Sequence, residues 1–122
     1  MTQSNNLTNL IYVLEGKDTI WEPFLPGGEE EVGKVSWLRQ TQDEKGVLFA
    51  GLWKHLPEMH PDGMPYGVEG NETFYVIEGR AELTNSNGDT ILLEKGNSYS
   101  FKDGYVGTWK TLEPFMKFFI VS

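Results

Sequence analysis

Residues 72–94 decide the fold; they read Glu72-Thr-Phe-Tyr-Val-Ile-Glu-Gly79 and then Arg80-Ala-Glu-Leu-Thr-Asn-Ser-Asn-Gly-Asp-Thr-Ile-Leu-Leu-Glu94. A glycine at position 79 and an Asn-Gly-Asp turn at 87–89 separate short runs rich in β-branched, aromatic and aliphatic residues. Such turn residues between short apolar runs are typical of antiparallel hairpins. The stretch therefore predicts strands over Thr73–Ile77, Arg80–Thr84 and Thr90–Leu93.

The rest of the chain also consists of short apolar runs separated by tight turns. The other predicted strands are Asn9–Leu14, Lys34–Gln40, Gly46–His55, Ser98–Phe101, Tyr105–Thr111 and Met116–Val121. No helical periodicity is sustained between them, so a parallel sheet with helical crossovers is disfavoured. We therefore expect an all-β fold, either a sandwich or a small barrel.

The amino-acid composition excludes several classes of function. The chain has 122 residues, enough for one domain, and no cysteine, which excludes disulfides, thiolate metal ligands and a cysteine nucleophile. Its formal net charge is −8, and an acidic surface repels nucleic acid and anionic lipid. We expect no nucleic-acid partner and no membrane association.

The amino terminus and the length of the apolar runs predict the cellular location of the protein. No basic residue precedes Lys17, and the first residues contain no apolar core of a signal peptide. The longest apolar stretches have the length of strands, far below the ~20 residues of a membrane-spanning helix. The expectation is a cytoplasmic protein.

Two spaced patterns carry a family resemblance. Glu72 is followed by Gly79, and Gly96 is followed by Lys102-Asp103-Gly104 and then by Gly107. These spacings match the second half of the first cupin motif and the whole of the second, so the chain resembles a single-domain cupin. Flanking residues, among them Trp53, Trp109, Glu113 and Lys117, resemble the branch that holds the ethanolamine-utilisation cupins and the ureidoglycine aminohydrolases.

The resemblance implies an architecture and an assembly. It implies a cupin-type double-stranded β-helix, a small jelly-roll barrel, over residues 46–122. Residues 1–45 would add N-terminal edge strands and a loop packed on the barrel, within one domain overall. Cupins usually pair, and the apolar strand ending at Leu14 would leave an edge to cover, so a homodimer is expected.

The metal ligands of the family are missing from the matching positions. The first motif's two histidines would fall within residues 65–68, which read Pro-Tyr-Gly-Val, and the second motif's histidine falls on Gly107. Glu72 alone remains, and one carboxylate holds a transition metal poorly. We expect no metal and no cofactor; an unusual metal site from His55 and His60 with Glu72 or Glu69 is the open alternative.

Glu72 is the leading candidate for chemistry. It precedes an apolar strand, so it should lie where burial disfavours the charged form of a carboxyl. A carboxyl that exchanges its proton near neutral pH suits a general acid or base. The alternative is that Glu72 only hydrogen-bonds the backbone or Tyr66 at the barrel mouth.

Aromatic and histidine side chains complete the predicted pocket. Tyr66 and His55 are expected to assist Glu72, while Trp53, Trp109 and Phe74 are expected to contact the ligand, because aromatic rings supply apolar area and, in part, a polar group. For each of them, ordinary packing is the alternative. Lys117 is expected either to balance a carboxylate such as Glu113 or to face solvent.

The function expected from these residues is a small-molecule enzyme that works without a metal. It would bind an organic molecule in the barrel and convert it by general acid–base chemistry, as an isomerase, lyase, cyclase or hydrolase. The alternative is a noncatalytic cupin that binds a small molecule or stabilises a partner. A third possibility is a metal enzyme with unusual ligands.

Overall fold

The computed structural model describes residues 10–122, which form two antiparallel β-sheets packed face to face. The strands are β1 Glu22–Pro23, β2 Lys34–Asp43, β3 Gly46–His55, β4 Met64–Gly67, β5 Glu72–Glu78, β6 Arg80–Asn85, β7 Thr90–Glu94, β8 Ser98–Phe101, β9 Val106–Thr111 and β10 Phe115–Val121. Two short 3₁₀ helices lie at Gly16–Asp18 and Pro57–Met59. No helix in this part of the chain is long and apolar enough to cross a membrane.

The order of the strands is that of a jelly roll. The larger sheet runs β1-β2-β3-β10-β5-β8 and the smaller runs β4-β9-β6-β7. Strand β10 lies between β3 and β5, so the end of the chain is central in the larger sheet. The expected all-β, cupin-type jelly roll is confirmed.

Alternation along the strands explains which side chains face the interior. In β10, Phe115, Lys117 and Phe119 are buried, whereas Phe118 is partly buried and Ile120 is exposed. Side chains of a strand alternate between its two faces, so a lysine at every-second spacing with two phenylalanines points into the barrel. The sequence of β10 thus places one cation in the core.

The core lies between the sheets and is dominated by aromatic rings. Trp109 on β9 packs edge-on against Phe115, and it meets Trp53 from the opposite sheet. Such perpendicular contacts suit the charge distribution of aromatic rings. The largest fully buried side chains are Trp109, Phe74, Leu83, Leu93, His55, Val35 and Val76.

Two strands of the structure were not predicted, one predicted strand is wrong, and the other predicted bounds agree to within three residues. Gly46–His55 and Ser98–Phe101 have the predicted bounds, but Glu22–Pro23 and Met64–Gly67 were not predicted as strands. The predicted strand Asn9–Leu14 is wrong for residues 10–14, which belong to no strand, while Asn9 lies outside the described residues. The homodimer stays a prediction, without the edge strand on which it was argued.

Candidate functional site

A cavity of about 620 Å³ opens at one end of the barrel. Its walls include Trp53, Met64 and Trp109. Phe24 and Val32 also contribute; they lie in residues 24–33, the loop between β1 and β2, which we call the N-terminal loop. The loop is held in place because the indole N–H of Trp53 donates to the carbonyl of Val32 at 2.8 Å. A mostly apolar concave space of this size suits a small organic ligand.

A cluster of three polar side chains lies in the cavity wall. The Lys117 ammonium donates to Glu72 Oε2 at 2.7 Å, and the Tyr66 hydroxyl donates to Glu72 Oε1 at 2.6 Å. The side chain of Lys117 is 6 % exposed and that of Glu72 is 12 % exposed. We call this group the Glu72 cluster; each oxygen of its carboxylate has one strong donor.

Aromatic rings surround the ammonium of this cluster. Lys117 Nζ lies 4.2 Å from the ring centre of Phe74, 4.9 Å from that of Trp53 and 5.0 Å from that of Trp109. The negative face of an aromatic ring attracts a cation at such distances, and more strongly when water is excluded. The rings therefore replace part of the hydration that burial removes.

The cavity shifts two proton equilibria. Burial lowers the pKa of Lys117, and the charge of Glu72 opposes that shift. Burial and the neighbouring carboxylate raise the pKa of Tyr66, so its hydroxyl keeps its proton and acts as a donor. The cluster thus contains one acceptor and two proton donors in a poorly hydrated place.

The described side chains around Glu72 do not form a group of metal ligands. Lys117 already occupies the cation position of the Glu72 carboxylate. At position 107 a Cβ would lie 2.6 Å from Tyr105 Oη and 2.8 Å from the backbone oxygen of Thr84, so a histidine there would displace its neighbours. Within residues 10–122, no three His, Cys, Asp or Glu side chains are grouped as a metal site would require.

His55 belongs to a second set of hydrogen bonds. His55 Nδ1 lies 2.7 Å from Thr111 Oγ1, and His55 Nε2 lies 2.9 Å from His60 Nδ1. His60 Nε2 lies 2.8 Å from Glu30 Oε2, and the indole N–H of Trp109 donates to Thr111 Oγ1 at 2.9 Å. We call this series, from Trp109 to Glu30, the histidine chain.

The direction of the histidine chain follows from its two ends. The carboxylate of Glu30 can only accept, so His60 donates to it from Nε2. When His60 is neutral, His55 donates from Nε2 and accepts at Nδ1 from the hydroxyl of Thr111. Burial, and secondarily the neighbouring His60, lowers the pKa of His55 to about 4. His55 is therefore neutral at neutral pH, and both of its ring nitrogens have a hydrogen-bond partner.

The structure brings together most of the predicted pocket residues. Glu72, Tyr66, Trp53 and Trp109 line the cavity, and Phe74 lies against Lys117 behind it. His55 instead borders a separate cavity of about 480 Å³ and contacts Thr111 and His60. It is not among the described residues that line the Glu72 cavity, and within residues 10–122 His55 and His60 do not form a group of metal ligands with Glu72 or Glu69.

Lys117 balances a carboxylate, as one of the two expectations had it, but the carboxylate is that of Glu72. Glu113, its suggested partner, pairs with Arg80 at 3.3 Å on the surface, and Lys117 is buried. The signal was present in the alternation of Phe115, Lys117 and Phe119. What the sequence did not show was the partner, because Glu72 comes from a strand distant in the chain.

Several solved structures are similar to this chain. A solved DUF861-family protein from Thermotoga maritima is 30 % identical over 58 % of this chain and 76 % of its own, with a TM-score of 0.53. A putative ethanolamine utilization protein Q from Salmonella typhimurium is 17 % identical over 89 % and 83 %, with a TM-score of 0.70. An RmlC-like cupin from Ralstonia eutropha is 20 % identical over 92 % and 68 %, with a TM-score of 0.68.

The low identities of the last two structures support the fold alone. No curated protein matches the sequence. The family model of the EutQ-like cupin domain matches residues 42–119, which is more than half of the chain. The protein therefore belongs to the EutQ-like cupin family.

Proposed function

We propose that this cupin binds a small organic molecule in its barrel cavity and converts it by general acid–base chemistry without a metal ion. The observation that carries the proposal is the Glu72 cluster, a carboxylate held between a tyrosine hydroxyl and an ammonium inside an apolar cavity. Positioned donors and acceptors in a dry cavity are the usual means of stabilising charge that develops during a reaction.

Each member of the cluster has a distinct role in this proposal. Glu72 accepts a proton from a C–H or O–H group of the ligand, because it is the acceptor of the cluster. Tyr66, which keeps its own proton, donates a hydrogen bond to developing negative charge. Lys117 balances the carboxylate and holds it in position, and Trp53 and Trp109 confine the ligand. This set serves an isomerase, lyase, cyclase or hydrolase.

Metal independence is supported by the occupied cation position beside Glu72 and by the crowding at position 107. We expect the purified protein to hold no stoichiometric transition metal, and a chelator to leave its Tm and its turnover unchanged. Elemental analysis beside a thermal melt with and without chelator measures both. A metal bound at one per chain, with loss of activity on its removal, would overturn metal independence.

The role of Glu72 is tested by substitution once a ligand is found. A thermal-shift screen of small metabolites identifies binders, because a ligand that prefers the folded state raises Tm. Glu72→Gln should lower turnover of such a ligand by ~10²–10⁴-fold. Glu78→Gln, a carboxylate on the same strand but exposed, should leave turnover unchanged.

Glu72→Gln also leaves Lys117 without its counter-charge, which disfavours folding. A second variant without this unpaired charge is therefore needed as a control. Glu72→Gln with Lys117→Met removes both charges and keeps the cavity apolar. If both variants fold and turnover persists in either, the acid–base proposal is wrong. Binding without any turnover in the wild type would favour the noncatalytic cupin instead.

A further inference from the structure

Lys117 differs from the other lysines in its surroundings. It is the one lysine of the described residues that is buried, and its side chain borders the cavity. In the ion pair its amine is held in place by Glu72, which can also take its proton. Lysines desolvated in an apolar pocket are activated as nucleophiles toward carbonyl compounds.

We propose that Lys117 is a nucleophile and that the cavity takes small aldehydes or ketones, which it binds as an imine on Lys117 Nζ. The proposal rests on the proposed function and names its substrate class. The geometry carries it: an amine inside a ligand-sized apolar cavity, with a proton acceptor at 2.7 Å and a hydroxyl donor on the same carboxylate.

The step balances with the groups present. The Lys117 ammonium gives one proton to Glu72, and the free amine attacks the carbonyl carbon while the C=O electron pair moves to oxygen. That oxygen takes a second proton from the nitrogen, which gives a carbinolamine. Glu72 returns its proton to the hydroxyl, which leaves as water as the C=N bond forms. An iminium ion remains beside the Glu72 carboxylate, and no oxidant or reductant is consumed.

The apolar surroundings favour both the free amine that begins this step and the iminium ion that it produces. Exclusion of water favours the exchange of an ion pair for a neutral acid and amine, because burial penalises charged forms. The rings of Phe74, Trp53 and Trp109 that now face the ammonium would face the iminium cation in the same way. Glu72 is then placed to remove a proton from the carbon next to the C=N bond.

The test uses propanal as the probe and sodium cyanoborohydride as the hydride donor that fixes an iminium. The wild-type protein is treated at neutral pH, digested, and the propylated lysines are located by mass spectrometry. Lys110, exposed on β9, is the internal reference. We expect Lys117 to react at least about tenfold faster than Lys110, because the free amine is the nucleophile and burial lowers the pKa of Lys117, which raises its free fraction.

Two variants sharpen the assignment. Lys117→Met should abolish the fast labelling, and Lys110→Met should leave it unchanged. The mapping on wild type does not depend on the folding of either variant. Labelling of Lys117 no faster than that of Lys110 would overturn the proposal.

Failure of this inference and failure of the proposed function are distinguishable. If a metabolite binds and its turnover requires Glu72 while Lys117 stays unlabelled, the imine is wrong and the acid–base function stands. If Lys117 is labelled quickly and Glu72→Gln leaves deuterium exchange at the α-carbon of propanal unchanged, the imine stands and Glu72 is not the base.

Discussion

Two polar clusters in this barrel both reach Trp109, and they handle charge in opposite ways. The Glu72 cluster keeps an anion and a cation inside the protein, 2.7 Å apart, against the face of that ring. The histidine chain starts from the indole N–H, passes through the neutral His55, and ends at Glu30, whose side chain is 74 % exposed. The first cluster buries two opposite charges that balance each other, whereas the second buries an uncharged imidazole and leaves its carboxylate at the surface.

The difference between the two clusters indicates which of them is the better candidate for catalysis. A buried charge pair contributes little net stability compared with apolar side chains of the same volume, so stability alone does not account for the Glu72 cluster. The histidine chain satisfies buried donors and acceptors without net charge, which is what an interior polar network needs for stability. The Glu72 cluster is therefore the functional candidate, and the histidine chain is a structural link between the core and the N-terminal loop.

The largest expected effect comes from breaking the charge pair. Lys117→Met leaves the Glu72 carboxylate buried without its counter-charge and should lower the free energy of unfolding by about 3–5 kcal/mol. Lys117→Met with Glu72→Gln should recover most of that loss, since neither charge remains. Urea denaturation of wild type and the single and double variants measures the coupling. A single variant as stable as wild type would show that the pair is not buried in solution.

The next largest effect is a fall in the free energy of unfolding as the pH is lowered and the unfolded chain binds a proton at His55. The pKa of His55 is about 4 in the folded protein and 6.5 in its ordinary state, so the unfolded chain binds more protons in between. Stability is therefore fully present above pH 6.5 and is lost as the pH falls toward 4. Between pH 7.5 and 5 the loss from this group is about 2 kcal/mol.

The measurement is the pH dependence of the unfolding free energy in wild type and in His55→Asn. The asparagine amide retains a polar group near Thr111 but does not titrate. We expect its curve to be flatter than that of wild type between pH 7.5 and 5. Parallel curves would place the pH dependence on other groups.

The sequence revealed the fold because its signals are local. Glycine and asparagine turns and the alternation of apolar residues predict strands within a few positions, as at Gly46–His55. Strand β4, Met64–Gly67, escaped because it is short and contains Pro65, which cannot donate to a ladder. The acid-bearing strand itself, Glu72–Glu78, was predicted to within one residue at each end.

The site was only half predictable, because it depends on which strands are neighbours. Glu72 was found from motif spacing, but its partner Lys117 comes from β10, which pairs with β5 only after the chain has passed through the other sheet. His55 was assigned to the same pocket by its position beside Trp53. Its place in the histidine chain depends on Thr111 and His60, contacts that strand alternation does not specify.

The smallest effect is expected at the exposed end of the histidine chain. Glu30→Gln keeps an oxygen that can accept from His60 Nε2 and removes only the negative charge. Because the Glu30 side chain is 74 % exposed, water screens its charge, and the expected loss is below about 0.5 kcal/mol. Urea denaturation at low and at high salt should give the same small difference within error. A loss that approaches that of Lys117→Met would mean that this end is as buried as the Glu72 cluster, and the contrast between a paired interior and a neutral chain would no longer hold.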